Sequence, residues 1–164
     1  MQIKIKRKLL SIPVRYEVKN EETDEKIYKA KGKMFSITGK VFIKTIDGAK
    51  LMLIKHKLFK ILPQFCVYDN NKNLLFILNR KFSIKNSFNI TDSPDNIEIH
   101  GEVFGMEWSY LKNGVNIATI KKELINLTSV YHVNVVDENE APLVVATIIA
   151  IDRCFSKNDN NSFN

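Results

Sequence analysis

One short phrase, two basic residues around a variable one and then a pair of large apolar residues, returns along the chain at near-constant spacing. It reads Lys6-Arg7-Lys8-Leu9-Leu10, then Lys31-Gly32-Lys33-Met34-Phe35, then Lys55-His56-Lys57-Leu58-Phe59. It continues with more drift as Asn79-Arg80-Lys81-Phe82-Ser83, His100-Gly101-Glu102-Val103-Phe104 and Lys121-Lys122-Glu123-Leu124-Ile125. The third position falls at 8, 33, 57, 81, 102 and 123, in steps of 25, 24, 24, 21 and 21 residues. Self-similarity at such a period marks a fold built from one repeated supersecondary unit.

The unit is a β-hairpin. Asp47-Gly48 and Asn113-Gly114 each precede the third phrase position by about ten residues, and Asp69–Asn73 and Asp92–Asn96 occupy the corresponding places elsewhere. Asn-Gly and Asp-Gly supply the positive φ that tight turns require. Between the turns lie short runs rich in Val, Ile, Phe and Tyr, such as VFIKTI, FCVY and LLFIL, which suit strands. The spacing predicts about twelve strands, near 3–8, 14–19, 26–33, 40–46, 49–56, 64–68, 74–80, 87–90, 97–102, 107–112, 115–122 and 129–136. Glu17–Asp24 is expected to be a longer, charged hairpin loop.

The sixth unit departs from the pattern. After DENEAP comes LVVATIIAIDRCF, apolar on every face as far as Asp152-Arg153. Asp137 or Asn139 can cap a helix there, with Pro142 in its first turn. Its Val, Thr and Ile residues suit a strand equally well, and geometry decides between the two. A barrel wider than about eight strands is not filled by its own side chains, and a helix about 10–12 Å across would fill it. The expected fold class is therefore mainly β: a closed, roughly twelve-stranded antiparallel barrel around a buried C-terminal helix. One domain over 1–155 is expected, with the helix near 140–154 and a flexible tail at 156–164.

The order of these motifs resembles the LURP-one-related proteins, which sit in the tubby-like superfamily with tubby carboxy-terminal domains and phospholipid scramblases. The resemblance covers residues 2–155 and rests on Lys6–Ile12, Lys31–Ile37, Lys55–Asp69, Lys81–Ile84 and Asp137–Arg153. It implies a twelve-stranded barrel around a central helix. Tubby domains bind phosphoinositides through surface Lys and Arg, and scramblases are associated with lipid movement and in part with calcium.

Composition bounds the rest. The 164 residues carry a formal charge of +7, which favours anionic partners. Abundant Lys, Asn and Ile, the signature of an AT-rich genome, account for part of that charge. The N-terminal MQIKIKRKLL lacks a signal-peptide core. The longest apolar run, Pro142–Ile151, is half the roughly 20 residues a spanning helix needs. A cytoplasmic location, with peripheral attachment to the inner membrane face as a variant, is expected. Cys66 and Cys154 form no CxxC and are expected as free thiols.

No catalytic residue, metal site or cofactor is expected: the sequence holds no GxSxG, P-loop, GxGxxG or HExxH. His56, His100 and His132 are expected as isolated strand histidines. The DNNKN turn lacks the Gly and bidentate Glu of a calcium loop. The functional candidate is the basic arc itself. In a meander the phrases collect at one end, so Lys31, Lys33, Lys55, Lys57, Lys81 and Lys121 would form an anion-binding stripe. Such an arc suits an anionic phospholipid surface, at about 1 kcal/mol per cation. It also suits nonspecific nucleic acid, or a purely solubilising role at strand ends. Nucleic acid is the weaker reading because Phe35, Phe59 and Phe104 are expected to pack inside. The leading expectation is a non-enzymatic binding or scaffold module for a membrane or protein partner. The alternatives are a scramblase-related lipid handler and a small-ligand carrier with a barrel-end site around His56 and Arg80.

Overall fold

The computed structural model describes residues 1–9, 11–35, 39–80, 88–101, 106–125 and 128–156, with residues 155 and 156 described by backbone alone. Twelve strands run β1 Gln2–Arg7, β2 Arg15–Asn20, β3 Lys26–Gly32, β4 Val41–Lys44, β5 Lys50–His56 and β6 Gln64–Asp69. They continue as β7 Leu74–Arg80, β8 Phe88–Thr91, β9 Ile97–Gly101, β10 Glu107–Lys112, β11 Val115–Ile125 and β12 Thr128–Val135. All ladders are antiparallel, in the order β8-β7-β6-β5-β4-β3-β2-β1-β12-β11-β10-β9. The sheet curls until β8 and β9 lie side by side at a seam, which makes the barrel nearly closed. The expected tail, beyond Ser156, lies outside the described residues.

A 3-10 turn, Glu138–Glu140, follows β12, and Asp137 caps it by accepting from the Asn139 amide at 2.9 Å. Helix α1, Ala141–Ser156, then enters the barrel. Val144, Val145, Ala146, Ile149 and Ala150 are fully buried. The β-branched residues that made a strand plausible here form a helix because the helix is packed on all sides, and packing overrides propensity. Its lone polar mid-helix residue, Thr147, donates to the Leu143 carbonyl at 2.9 Å and lies 3.4 Å from the Tyr110 hydroxyl. The inner wall consists of alternate strand residues, among them Ile3, Ile5, Val18, Ile43, Ile54, Val67, Leu78 and Val133.

The repeat period has a geometric meaning. Lys8 meets Arg15, which pairs with Lys31. Lys33 meets Lys40, next to Val41, which pairs with Ile54, next to Lys55. Lys57 meets Gln64, which pairs with Asn79. Glu123 and Lys6 both pair with Val130. Where ladders connect them, neighbouring phrases are therefore displaced by two residues, even where the last unit meets the first. Two residues of ~3.3 Å rise across two strand spacings of ~4.8 Å give a tilt of roughly 35°, as a closed barrel requires. Because the strands tilt, the displaced phrases end at one rim.

Candidate functional site

The two rims differ. Connections after the even strands carry Glu21, Glu22, Asp24, Glu25, Asp47, Asp92, Asp95, Asp137, Glu138 and Glu140. Two of these carboxyls are held below the usual carboxylate range, Asp24 by its bond from Lys19 and Asp47 by its bond from Thr45. Asp69, ending β6, is held down by its bond from Asn73. Those three carboxylates stay charged to lower pH than an ordinary one.

At the phrase rim, three loops share one closure. The amide of the third phrase residue donates to the carbonyl seven residues on: Lys8 to Arg15 at 2.9 Å, Lys33 to Lys40 at 2.8 Å, Lys57 to Gln64 at 2.8 Å. Each closes a six-residue loop, LLSIPV, MFSITG or LFKILP, with no acidic residue. Large apolar side chains leave these loops into solvent. Phe35 is 97% exposed, Phe59 fully exposed, and Ile12 and Ile61 are 88% and 92% exposed. Nine of the thirteen exposed large apolar residues among the described ones lie at this rim: Leu9, Ile12, Met34, Phe35, Phe59, Ile61, Met106, Leu124 and Ile125.

The expectation that Phe35 and Phe59 pack inside is thus corrected; Phe104 lies outside the described residues. The interior is already filled by α1, and the loop closure turns both rings outward. Both sit in the left-handed region, at φ +54° and +60°. The other non-glycine residues with positive φ among the described ones are Asp24, Lys72, Asp92 and Asn113, polar residues in the opposite turns. A phenylalanine there is a genuine outlier, costing roughly 1–2 kcal/mol.

The candidate lysines divide. Lys31 lies on the outer face of β3, level with Arg15 and Phe42. Lys55 extends over the Tyr68 ring, 4.3 Å from its centroid. Lys33 and Lys57 close their loops beside the exposed Phe residues. These four share one face of the rim. Lys121 stands apart, level with Glu107 and His132. It lines an outer groove of about 650 Å³ with His100, Trp108, Glu21 and His132. Lys81 lies outside the described residues.

The histidines are less isolated than expected. His132 bonds Glu21 through Nδ1 and places Nε2 3.4 Å from Glu123, while His100 bonds Glu98 at 2.6 Å. His56 packs on Phe65 at 5.2 Å between ring centroids. Among the described residues no group of three His, Cys, Asp or Glu side chains could hold a metal ion. Cys66 and Cys154 are buried and unlinked.

Of the middle phrase residues, Arg7 and Arg80 reach the C-terminal end of α1. Asp152 is buried there and accepts from Tyr16 at 2.8 Å and Tyr131 at 3.0 Å, with Arg7 at 4.0 Å. Burial, then Asp152's charge, pushes both phenols far above their ordinary range. Arg80 donates to the Cys154 carbonyl at 3.4 Å, which suits the negative end of the helix dipole. Arg153 stacks on Phe65 and donates to the Gly39 carbonyl. Gly39 is favoured there because its φ of +52° strains any side chain, and a Cβ would also displace Arg153 Nη2, which would lie 2.6 Å away.

Such a barrel, wrapped on an apolar helix, has the tubby-like fold. The LURP-one-related family model matches residues 1–152, and the chain belongs to that family. It is similar to the uncharacterized protein YxjI of Bacillus subtilis, 22% identical over 163 residues, covering 99% of this chain and 98% of that protein. The X-ray structure of an Arabidopsis thaliana protein superposes with a TM-score of 0.59 at 11% identity, covering 92% of this chain and 91% of that one. That likeness concerns the fold. No helix among the described residues is long and apolar enough to cross a membrane.

Proposed function

We propose that the protein is a non-enzymatic module that docks end-on, phrase rim first, on an anionic phospholipid membrane from the cytoplasmic side. The observation that carries this is the pair Phe35 and Phe59, each held exposed in a strained conformation two residues after a Lys-x-Lys. Strain of this kind persists only where the surrounding structure imposes it, and it clusters at functional positions. Lys31, Lys33, Lys55 and Lys57 supply about 1 kcal/mol each near an anionic surface. Each Phe supplies about 1.5–3 kcal/mol if fully buried in the acyl boundary. Neither term alone gives firm attachment, and stable anchoring generally takes two signals together. The acidic rim points away from the surface and fixes the orientation.

Co-sedimentation with neutral and anionic vesicles at low and high salt tests this. The parent should bind anionic vesicles and lose most binding at high salt. The quadruple Lys31/Lys33/Lys55/Lys57→Glu variant should not bind, and Phe35→Ser/Phe59→Ser should bind much more weakly at equal charge. A parent that ignores anionic vesicles would overturn the reading.

A further inference from the structure

A pocket of about 430 Å³ opens at the phrase rim between the β5–β6 loop and the end of β7. Its walls are apolar, with Phe59, Ile61 and Pro63 among them, and its polar side carries Lys60, Gln64 and Arg80. Asn79 adjoins, bonded by the Gln64 amide nitrogen. The other end of that amide, Gln64 Oε1, is buried and accepts no hydrogen bond among the described residues. A buried acceptor left without a donor is costly unless a ligand supplies one. Arg80 is fixed in orientation by its bond to the Cys154 carbonyl.

We propose that this pocket binds the headgroup of a single phospholipid whose phosphodiester is followed by hydroxyl donors, as in a phosphatidylglycerol. The proposal rests on the membrane-docking reading and names the lipid class of that same rim. Lys60 and Arg80 hold the phosphate, since ammonium and guanidinium groups both serve phosphate oxygens. A headgroup hydroxyl donates to Gln64 Oε1. Phe59 and Ile61 stand beside the acyl chains, so one loop supplies apolar contact, cation and amide. A phosphodiester without headgroup hydroxyls would satisfy the cations and leave Gln64 Oε1 without its donor, and inorganic phosphate would lack the acyl contacts.

The test is two-dimensional amide NMR of the whole chain, titrated with monomeric dihexanoylphosphatidylglycerol, with dihexanoylphosphatidylmethanol, which has the same phosphodiester charge and no hydroxyl, and with inorganic phosphate. Saturable shifts of the Gln64 and Asn79 side-chain amides are expected with the glycerol lipid. The other two probes should act at least about tenfold more weakly. Gln64→Leu, which replaces the orphaned acceptor by an apolar group of similar size, should weaken the glycerol lipid about tenfold and bring its affinity to that of the phosphatidylmethanol. Lys60→Ala, at an exposed position, should weaken both lipids. Equal response to all three probes, unchanged affinity in Gln64→Leu, or shifts confined to the Lys121–His132 groove would each overturn the pocket. None of these outcomes depends on vesicle binding. The pocket fails if Gln64→Leu binds soluble lipid like the parent, and the docking fails if the parent ignores anionic vesicles.

Discussion

At the scale of single residues, Phe35 and Phe59 set stability against function. Replacing either by Asn, which tolerates the left-handed region, should relieve roughly 1 kcal/mol of strain. In a chain of this size that raises Tm by about 2–4 °C per site, measurable by thermal melting. The same variants should lose vesicle binding, so stability and binding would move in opposite directions. A fall in Tm would show that the rings contribute packing and not strain. Asp152 gives a second residue-scale prediction. Tyr131→Phe removes a hydrogen bond to a buried carboxylate and should cost about 1.5–3 kcal/mol by urea denaturation at neutral pH. Tyr16 and Tyr131 ionise in the unfolded chain near pH 10 but far higher in the fold. Their contribution is thus complete below about pH 10 and is lost as pH rises beyond it. The parent should lose stability more steeply than Tyr131→Phe between pH 9 and about 11.

The element scale is where the sequence was most readable. Asp-Gly and Asn-Gly turns with a steady period located all twelve strands to within a few residues, and the unbroken apolarity of LVVATIIAI identified α1 as the filling of the barrel. The loops after the odd strands were misread, because large apolar residues ordinarily go inward. What turns Phe35 and Phe59 outward is a backbone hydrogen bond from Lys33 or Lys57, which no side chain encodes. Nor could the Asp152 cluster be foreseen, since Asp152 and Tyr16 are 136 residues apart in sequence. The repeat of a Lys-x-Lys followed by two apolar residues, with no turn residue in between, was the available signal. For α1, Ile148→Ala should cost about 2–5 kcal/mol, the usual range for a cavity of that size. Ile148→Asp should yield no soluble folded protein. An aspartate variant that melted like the parent would contradict the buried helix.

For the molecule as a whole, the two rims make a charge axis aligned with α1. The positive end of the helix dipole faces the acidic turns and its negative end faces Arg80 and Arg153, so helix and rims reinforce one another. An environment-sensitive dye at Ile61→Cys should shift to the blue on anionic vesicles, whereas the same dye at Asn71→Cys, in an opposite turn, should not. Equal shifts at both sites would mean that the protein lies on its side. Binding should also fall steeply with salt, because the attraction acts across a Debye length of about 8–10 Å at physiological ionic strength.

The sheet order carries one more consequence, for the timing of assembly. Strands β1 to β8 are neighbours in sequence order, so each can zip onto the last as it leaves the ribosome. The wall nevertheless stays open until β12 returns to β1, joining residues such as Ile3 and Val133, and the helix that fills it is synthesised later still. A half-made chain therefore presents a curved sheet whose inner face is bare and wet. Such an intermediate is slow to resolve and prone to aggregate. Chaperone dependence should end abruptly once α1 has emerged.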